Sequence, residues 1–235
     1  MPVITVSGAV GSGALEIAQA AASEMRLEYV DHEIMVEAAQ QLGVCVADVE
    51  SRDERKSGIG ERLSATLRTL MERSAAAGAA DPLSGGGLEM VLSRNYGEVL
   101  DLSGSGVGQI DDERYIKTLT SVMKAVAARG DVVILGRGSQ AILRDEPGVL
   151  HVFVAAPLEQ RISTLMQRDG ASRQDAERRI KQSDQSRQAF HRHYFKVEPD
   201  SPQLYDLGIN AGRIRAEVAA KMIAIAARDR APRPG

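Results

Sequence analysis

Tryptophan is absent from the sequence, and aromatic residues together make up only 3% of it. A core of stacked rings is therefore excluded, and the interior must be built from Val, Ile, Leu, Met and Ala. Cysteine is as scarce: Cys45 stands alone, so no intramolecular disulfide can staple the fold. A lone thiol fits a reducing compartment. No apolar run approaches the ~20 residues a helix needs to cross a bilayer. The chain opens on a strand-like run rather than on a charged-then-apolar leader. The expected location is the cytoplasm, with no membrane partner. A strong excess of one charge is also missing. The 29 Lys and Arg residues face 32 Asp and Glu, and both signs are spread along the chain. That pattern lacks the basic footprint of a nucleic-acid binder.

What is present is an alternation of short apolar runs and helical patterns. Val3 to Val6 reads as a buried strand, a glycine-rich turn follows, and Ala14 to Met25 is an alanine-rich helix. Leu27 to Val30 reads as a second strand ending at Asp31, and residues 33–42 as a helix. Asp112 is placed to cap a helix whose apolar face carries Tyr115, Ile116, Leu119, Val122, Met123 and Val126, with Gly130 as its stop. Strands are expected at Val132 to Leu135, Leu150 to Ala155 and Tyr205 to Ile209. Pro157 marks the start of a helix reaching about Arg168. Ser172 caps a long charged helix to about Phe195, with Asp175 set for a capping-box-like contact. A last helix is expected over 213–228, before a fraying tail at 229–235.

Solidly apolar strands imply a sheet covered on both faces. Their alternation with helices implies a parallel sheet, hence an α/β fold of three layers with helices on both sides. One domain over 1–235 is expected, with a mainly helical insertion at about 45–110. In that insertion Ile59, Leu63, Leu67, Leu70 and Met71 share a helical face, which suits folding over a ligand or pairing with a second copy in a homo-oligomer.

The turn reads Ser7-Gly8-Ala9-Val10-Gly11-Ser12-Gly13-Ala14-Leu15. A strand runs in and a helix runs out, so small residues let backbone N–H groups converge where the helix dipole favours an anion. Gly8 and Gly13 have the spacing of a P-loop, but its Lys and Ser/Thr positions hold Ala14 and Leu15. Gly8, Gly11 and Gly13 also suit a dinucleotide-binding turn, with Asp31 about 20 residues on for a ribose hydroxyl. A tight turn with no ligand is the third reading.

Several further pieces occur in a fixed order. Ile4-Thr5-Val6-Ser7 leads to Gly11-Ser12-Gly13 and Glu16-Ile17-Ala18, then Tyr29-Val30-Asp31. Val133-Ile134-Leu135-Gly136-Arg137-Gly138 follows, then Val152 to Arg161, then Asp184-Gln185-Ser186-Arg187. This series resembles the cytidylate kinase-like family, a bacterial branch of P-loop nucleoside monophosphate kinases, over 3–44 and 111–225. The resemblance implies a P-loop kinase-like fold, with the helix at about 172–195 as a lid. It implies ATP with Mg²⁺ and nucleotide substrates, with Gly8, Gly11, Ser12, Gly13 and Ala14 at the donor phosphates. Asp31, Arg137, Arg161 and Asp184 would face the acceptor, with Arg137 and Arg187 as the catalytic cations. The chain departs from the family at Gly8, where Arg is common, at Ala14-Leu15, where Gly-Arg is common, and at Ser183, where many members carry a further Arg.

Phosphoryl transfer asks for alignment and positive charge around the moving group. Arginine supplies both in a fixed fork. Arg137 follows a buried strand, at the sheet edge where ligands bind in open α/β sheets. Arg144 is a further cation directed to the acceptor. Asp184 and Arg187 are three apart and suit a pair on one helix face. His32 suits a pocket lining or a surface position. His191 and His193 are two apart and do not share a helix face, so no metal site is expected. The functions in play are an ATP-dependent kinase acting on CMP, dCMP or a similar acceptor, a non-catalytic nucleotide-binding or regulatory module, and an NAD(P)-dependent oxidoreductase.

Overall fold

The computed structural model describes residues 1–31, 33–43 and 112–230. By internal contacts the chain divides into Met1–Ser57 with Tyr115–Gly235, and Gly58–Arg114. The helical insertion expected at about 45–110, with Cys45 and the apolar face from Ile59 to Met71, lies outside the described residues, as do His32 and the tail 231–235.

Five strands form one parallel sheet: β1 (Val3–Gly8), β2 (Glu28–Val30), β3 (Val132–Leu135), β4 (Val149–Ala155) and β5 (Leu207–Asn210), in the order β2-β3-β1-β4-β5. The helices between them are α1 (Ala14–Met25), α2 (Glu33–Leu42), α3 (Asp112–Arg129), α4 (Ser139–Ile142), α5 (Leu158–Asp169), α6 (Arg173–Phe195) and α7 (Ala216–Arg230), with a 3₁₀ turn at Pro202–Leu204.

Alternation along the strands sorts their side chains onto two faces. Ile4, Val6, Val133, Leu135, Leu150, Val152 and Val154 pack against α1 and α7 in one aliphatic core. Alanines carry the helix side of it: Ala18, Ala21 and Ala22 from α1, with Ala219, Ala220 and Ala227 from α7. The other face is more polar. Thr5 and His151 are register partners in β1 and β4, and Thr5 Oγ1 lies 2.7 Å from His151 Nδ1. Ser7 and Phe153 on this face meet Arg187 of α6. The Tyr194 ring of α6 lies 5.5 Å from that of Tyr115 of α3, centre to centre, tilted by 46°.

The expected elements fall where the apolar pattern put them, with shifted ends. Tyr115, Leu119, Val122, Met123 and Val126 form the buried face of α3. Asp112 is the first helical residue rather than the one before it. The strand expected from Tyr205 starts at Leu207, because the 3₁₀ turn occupies the preceding residues and Tyr205 caps it. α7 starts at Ala216 rather than 213 and runs to Arg230, into the stretch read as a fraying tail.

The strand order decides between two readings of the glycine-rich turn. In a dinucleotide-binding fold the second strand lies beside the first, which lets its terminal acid reach a ribose bound at the first turn. Here β3 lies between β1 and β2. Asp31 is thereby carried to the end of β3, and the dinucleotide reading fails on geometry.

Candidate functional site

β1 ends at Gly8 and the loop turns back over its own strand. A Cβ at Gly8 would meet Ser12 Oγ at 2.6 Å, Val154 O at 2.7 Å and Ala14 Cβ at 2.8 Å, so this loop closes only around a glycine. Gly11 has φ +76, and a Cβ there would come within 2.7 Å of the Arg161 carbonyl oxygen. Ser12 N–H donates to Ala9 O at 3.0 Å and closes the turn. Gly13 stands at the N-terminus of α1 with no side-chain cap. The first-turn amides of a helix have no intrahelical acceptor. They lie at the positive end of the dipole, the arrangement that receives a phosphate. Ser12 Oγ is buried and finds no partner among the described residues. Ala14 is buried and Leu15 packs on the aliphatic core, so neither position offers a cation or a hydroxyl.

The ends of β2 and β3 bring Asp31 and Arg137 together. Arg137 Nε donates to Asp31 O at 3.0 Å, and its NH2 lies 3.2 Å from Asp31 Oδ1. Both side chains are largely buried, at 6% and 19% exposure. Arg137 is held there with φ 59, in a turn that leads straight into α4. α4 went unread in the sequence. Its four residues are too few to show a period, and two of its buried side chains, Ser139 and Gln140, are polar. Gln140 Nε2 donates to His191 Nε2 at 2.7 Å, which leaves His191 Nδ1–H to donate to Arg187 O at 2.8 Å. The turn bearing Arg137 is thus joined to the middle of α6.

Arg187 is buried. Its NH1 pairs with Asp200 Oδ1 at 2.5 Å, its NH2 donates to Pro199 O at 3.2 Å and to Ser7 Oγ at 3.3 Å, and its guanidinium lies 5.8 Å from the Phe153 ring centre. The helix-surface pair expected between Asp184 and Arg187 does not form. Asp184 instead accepts from Arg161: NH1 to Oδ2 at 3.0 Å and NH2 to Oδ1 at 2.7 Å. Arg161 Nε donates to Val10 O at 2.9 Å. A cavity of about 580 Å³ opens beside the loop, bounded by Ala9, Arg161, Lys181, Asp184, Arg187 and Asp200. A second of about 590 Å³, lined by Arg144, His151, Tyr205 and Asp206, holds none of the other predicted site residues. Arg144 there is well exposed and pairs with Asp145.

Among the described residues, three arginines of the predicted site each carry a carboxylate partner: Arg137 with Asp31, Arg161 with Asp184, Arg187 with Asp200. Among the described residues no group of three His, Cys, Asp or Glu side chains is placed to hold a metal ion. Leu15 and Leu135 stand where a hydroxyl or carboxylate would otherwise meet one. The described residues do not fit a protein-held Mg²⁺.

The family model described as the cytidylate kinase-like family matches residues 3–213. A cytidylate kinase of Methanopyrus kandleri is 28% identical over 98 residues, covering 38% of this chain and 51% of its own, so the match spans about half the length of that relative. Among solved structures, an uncharacterized protein from Eubacterium ventriosum aligns with TM-score 0.62 at 16% identity, covering 98% of this chain and 100% of that one. A shikimate kinase from Acinetobacter baumannii in complex with shikimate aligns with TM-score 0.45 at 13% identity, over 99% of this chain and 96% of its own. The match over 3–213 takes in the glycine-rich loop, the Gly136-Arg137 turn and the whole of α6, and the chain belongs to the cytidylate kinase-like family.

Proposed function

We propose that the chain transfers the γ-phosphoryl group of ATP to CMP, dCMP or a similar nucleoside monophosphate. The observation that carries this reading is the juxtaposition of an uncapped, glycine-closed helix N-terminus with a buried Asp31–Arg137 pair at the neighbouring strand ends. In this reading Gly8, Gly11, Ser12, Gly13 and Ala14 receive the donor phosphates through backbone N–H groups. Arg137 contacts the acceptor phosphate, and Asp31 orients an acceptor hydroxyl. An acceptor phosphate oxygen attacks the γ-phosphorus in line, the bond to the β–γ bridging oxygen breaks, and ADP leaves. Arg187 sits between Ser7 and Asp200, and would exchange its solvent-facing Asp200 for phosphate oxygens. Charge stabilisation of this kind commonly contributes several kcal/mol to lowering a barrier. Mg²⁺, when it accompanies ATP, would be held by phosphate oxygens and water.

Two observations favour a second reading, a nucleotide-binding module without turnover. Position 14 has no lysine, and among the described residues Arg137, Arg161 and Arg187 each already face an aspartate.

Calorimetry of ATP binding with and without CMP, with NAD as control, separates these readings when followed by a turnover assay. The kinase reading expects ATP affinity to rise with CMP and ADP to form. Binding without ADP selects the module, and absence of ATP binding overturns both. Arg137→Ala is expected to weaken CMP binding by about 10–100-fold, the usual worth of a charge-assisted hydrogen bond. Unchanged CMP affinity would remove Arg137 from the acceptor site.

A further inference from the structure

A loop with glycine at 8, 11 and 13 has much conformational freedom to lose when its amides converge on a phosphate. With Ala14 and Leu15 contributing no polar side chain, affinity rests on those amides being aligned beforehand. Something outside the loop has to fix it.

Three contacts converge on its crest. The Val10 side chain packs on a small core of Ile162 and Leu165 from α5 and Ala176 and Ile180 from α6. The Val10 carbonyl accepts from Arg161 Nε at 2.9 Å. Gly11 lies against the backbone of Arg161, with no room for a Cβ. Arg161 is fixed in turn by a two-point pair with Asp184, one helical turn beyond Ile180 on α6. A guanidinium used in this way has its fork spent on Asp184 and its Nε on the loop.

We propose that Arg161 and Asp184 are positioning residues: with Val10 they mount the crest of the phosphate loop on the α5–α6 hairpin and hold its amides in the phosphate-receiving arrangement. The sequence reading placed both at the acceptor, and the proposal gives them this role instead. The functional part rests on the kinase or nucleotide-binding reading above; the mount itself is a property of the free protein.

The test is amide hydrogen exchange over the loop in the free protein, read beside ATP and CMP affinities, for the wild type, Arg161→Gln, Asp184→Asn and Asp184→Glu. Arg161→Gln and Asp184→Asn are each expected to speed exchange over the loop by about tenfold, as loss of one charge-assisted contact implies. Peptides from β3 and α7 should exchange as before. Asp184→Glu, which keeps the carboxylate, should restore protection. ATP affinity should fall by about tenfold while CMP affinity measured without ATP stays put. Should Arg161→Gln fail to fold, Arg161→Lys serves, since it keeps the charge but reaches only Val10 O or Asp184. Unchanged loop exchange in folded variants overturns the mount, and a fall in CMP affinity alone returns Arg161 to the acceptor site. Loop exchange that responds in a protein that never binds ATP would uphold the mount and sink the nucleotide reading.

Discussion

Asp169 closes α5 with its carboxylate held below its ordinary range, first by a hydrogen bond from Arg168 and then by the charges of Arg168 and Arg179. Arg168 Nε lies 2.7 Å away, and Arg179 NH1 reaches across from α6 at 2.9 Å. A depressed carboxylate adds stability above its unfolded-state value and loses it as pH falls through the folded one. Asp169→Asn should therefore lower the urea midpoint at neutral pH, and the gap to wild type should close as the medium is made strongly acid. Arg168 is well exposed, so water screens the pair and the loss should stay within about 1 kcal/mol. An equal gap at both pH values would show that the ion pairs are not its source. The same scale marks what the sequence could not disclose. Spacing along α6 offered Asp184 the nearby Arg187, because a helix pattern displays only neighbours three or four residues apart. Its real partner lies 23 residues back on α5, and only the packing of the two helices brings them together.

At the scale of elements, β1, β3 and β4 were legible because burial on both sides leaves an apolar run, and the long helices because one buried face repeats at helical spacing. The 3₁₀ turn and α4 were not, since neither is long enough to repeat. Capping was legible as well. Ser172 Oγ accepts from Asp175 N–H at 3.1 Å, and its hydroxyl donates to Asp175 Oδ2 at 2.7 Å. The acid thus answers the hydroxyl, where a longer Glu would answer the cap's own N–H. This cap starts the helix that carries Asp184, Arg187 and His191, which meet Arg161 of α5, Ser7 of β1 and Gln140 of α4 in succession. Ser172→Ala should cost about 1 kcal/mol in thermal or urea unfolding. It removes the hydroxyl from Asp175, whose carboxyl is held below its usual value chiefly by that bond. A variant as stable as the wild type would mean that the tertiary contacts of α6 alone set its start.

Across the whole molecule, scarcity of aromatics has a structural counterpart. α1 and α7 meet over the sheet through alanines, so that backbone approaches backbone and little side-chain volume is needed between them. Ala219 and Ala220 are 0% and 1% exposed, and Ala18 and Ala21 of α1 are both 0%. Such an interface has no space for growth, in contrast to an aliphatic core where Leu and Ile exchange at small cost. Ala220→Leu is therefore expected to destabilise by about 1–3 kcal/mol through overpacking, despite adding apolar surface. Ala226→Leu, at a partly buried position of the same helix, should cost less. The start of α1 follows directly on the glycine-rich loop, so on the proposed nucleotide reading displacement of α1 by the larger side chain should also weaken ATP binding. Parallel urea unfolding and ATP titration of the two variants tests this. A stabilised Ala220→Leu would mean that the α1–α7 seam is loose enough to repack, and that the small residues there answer to helix propensity rather than to close approach.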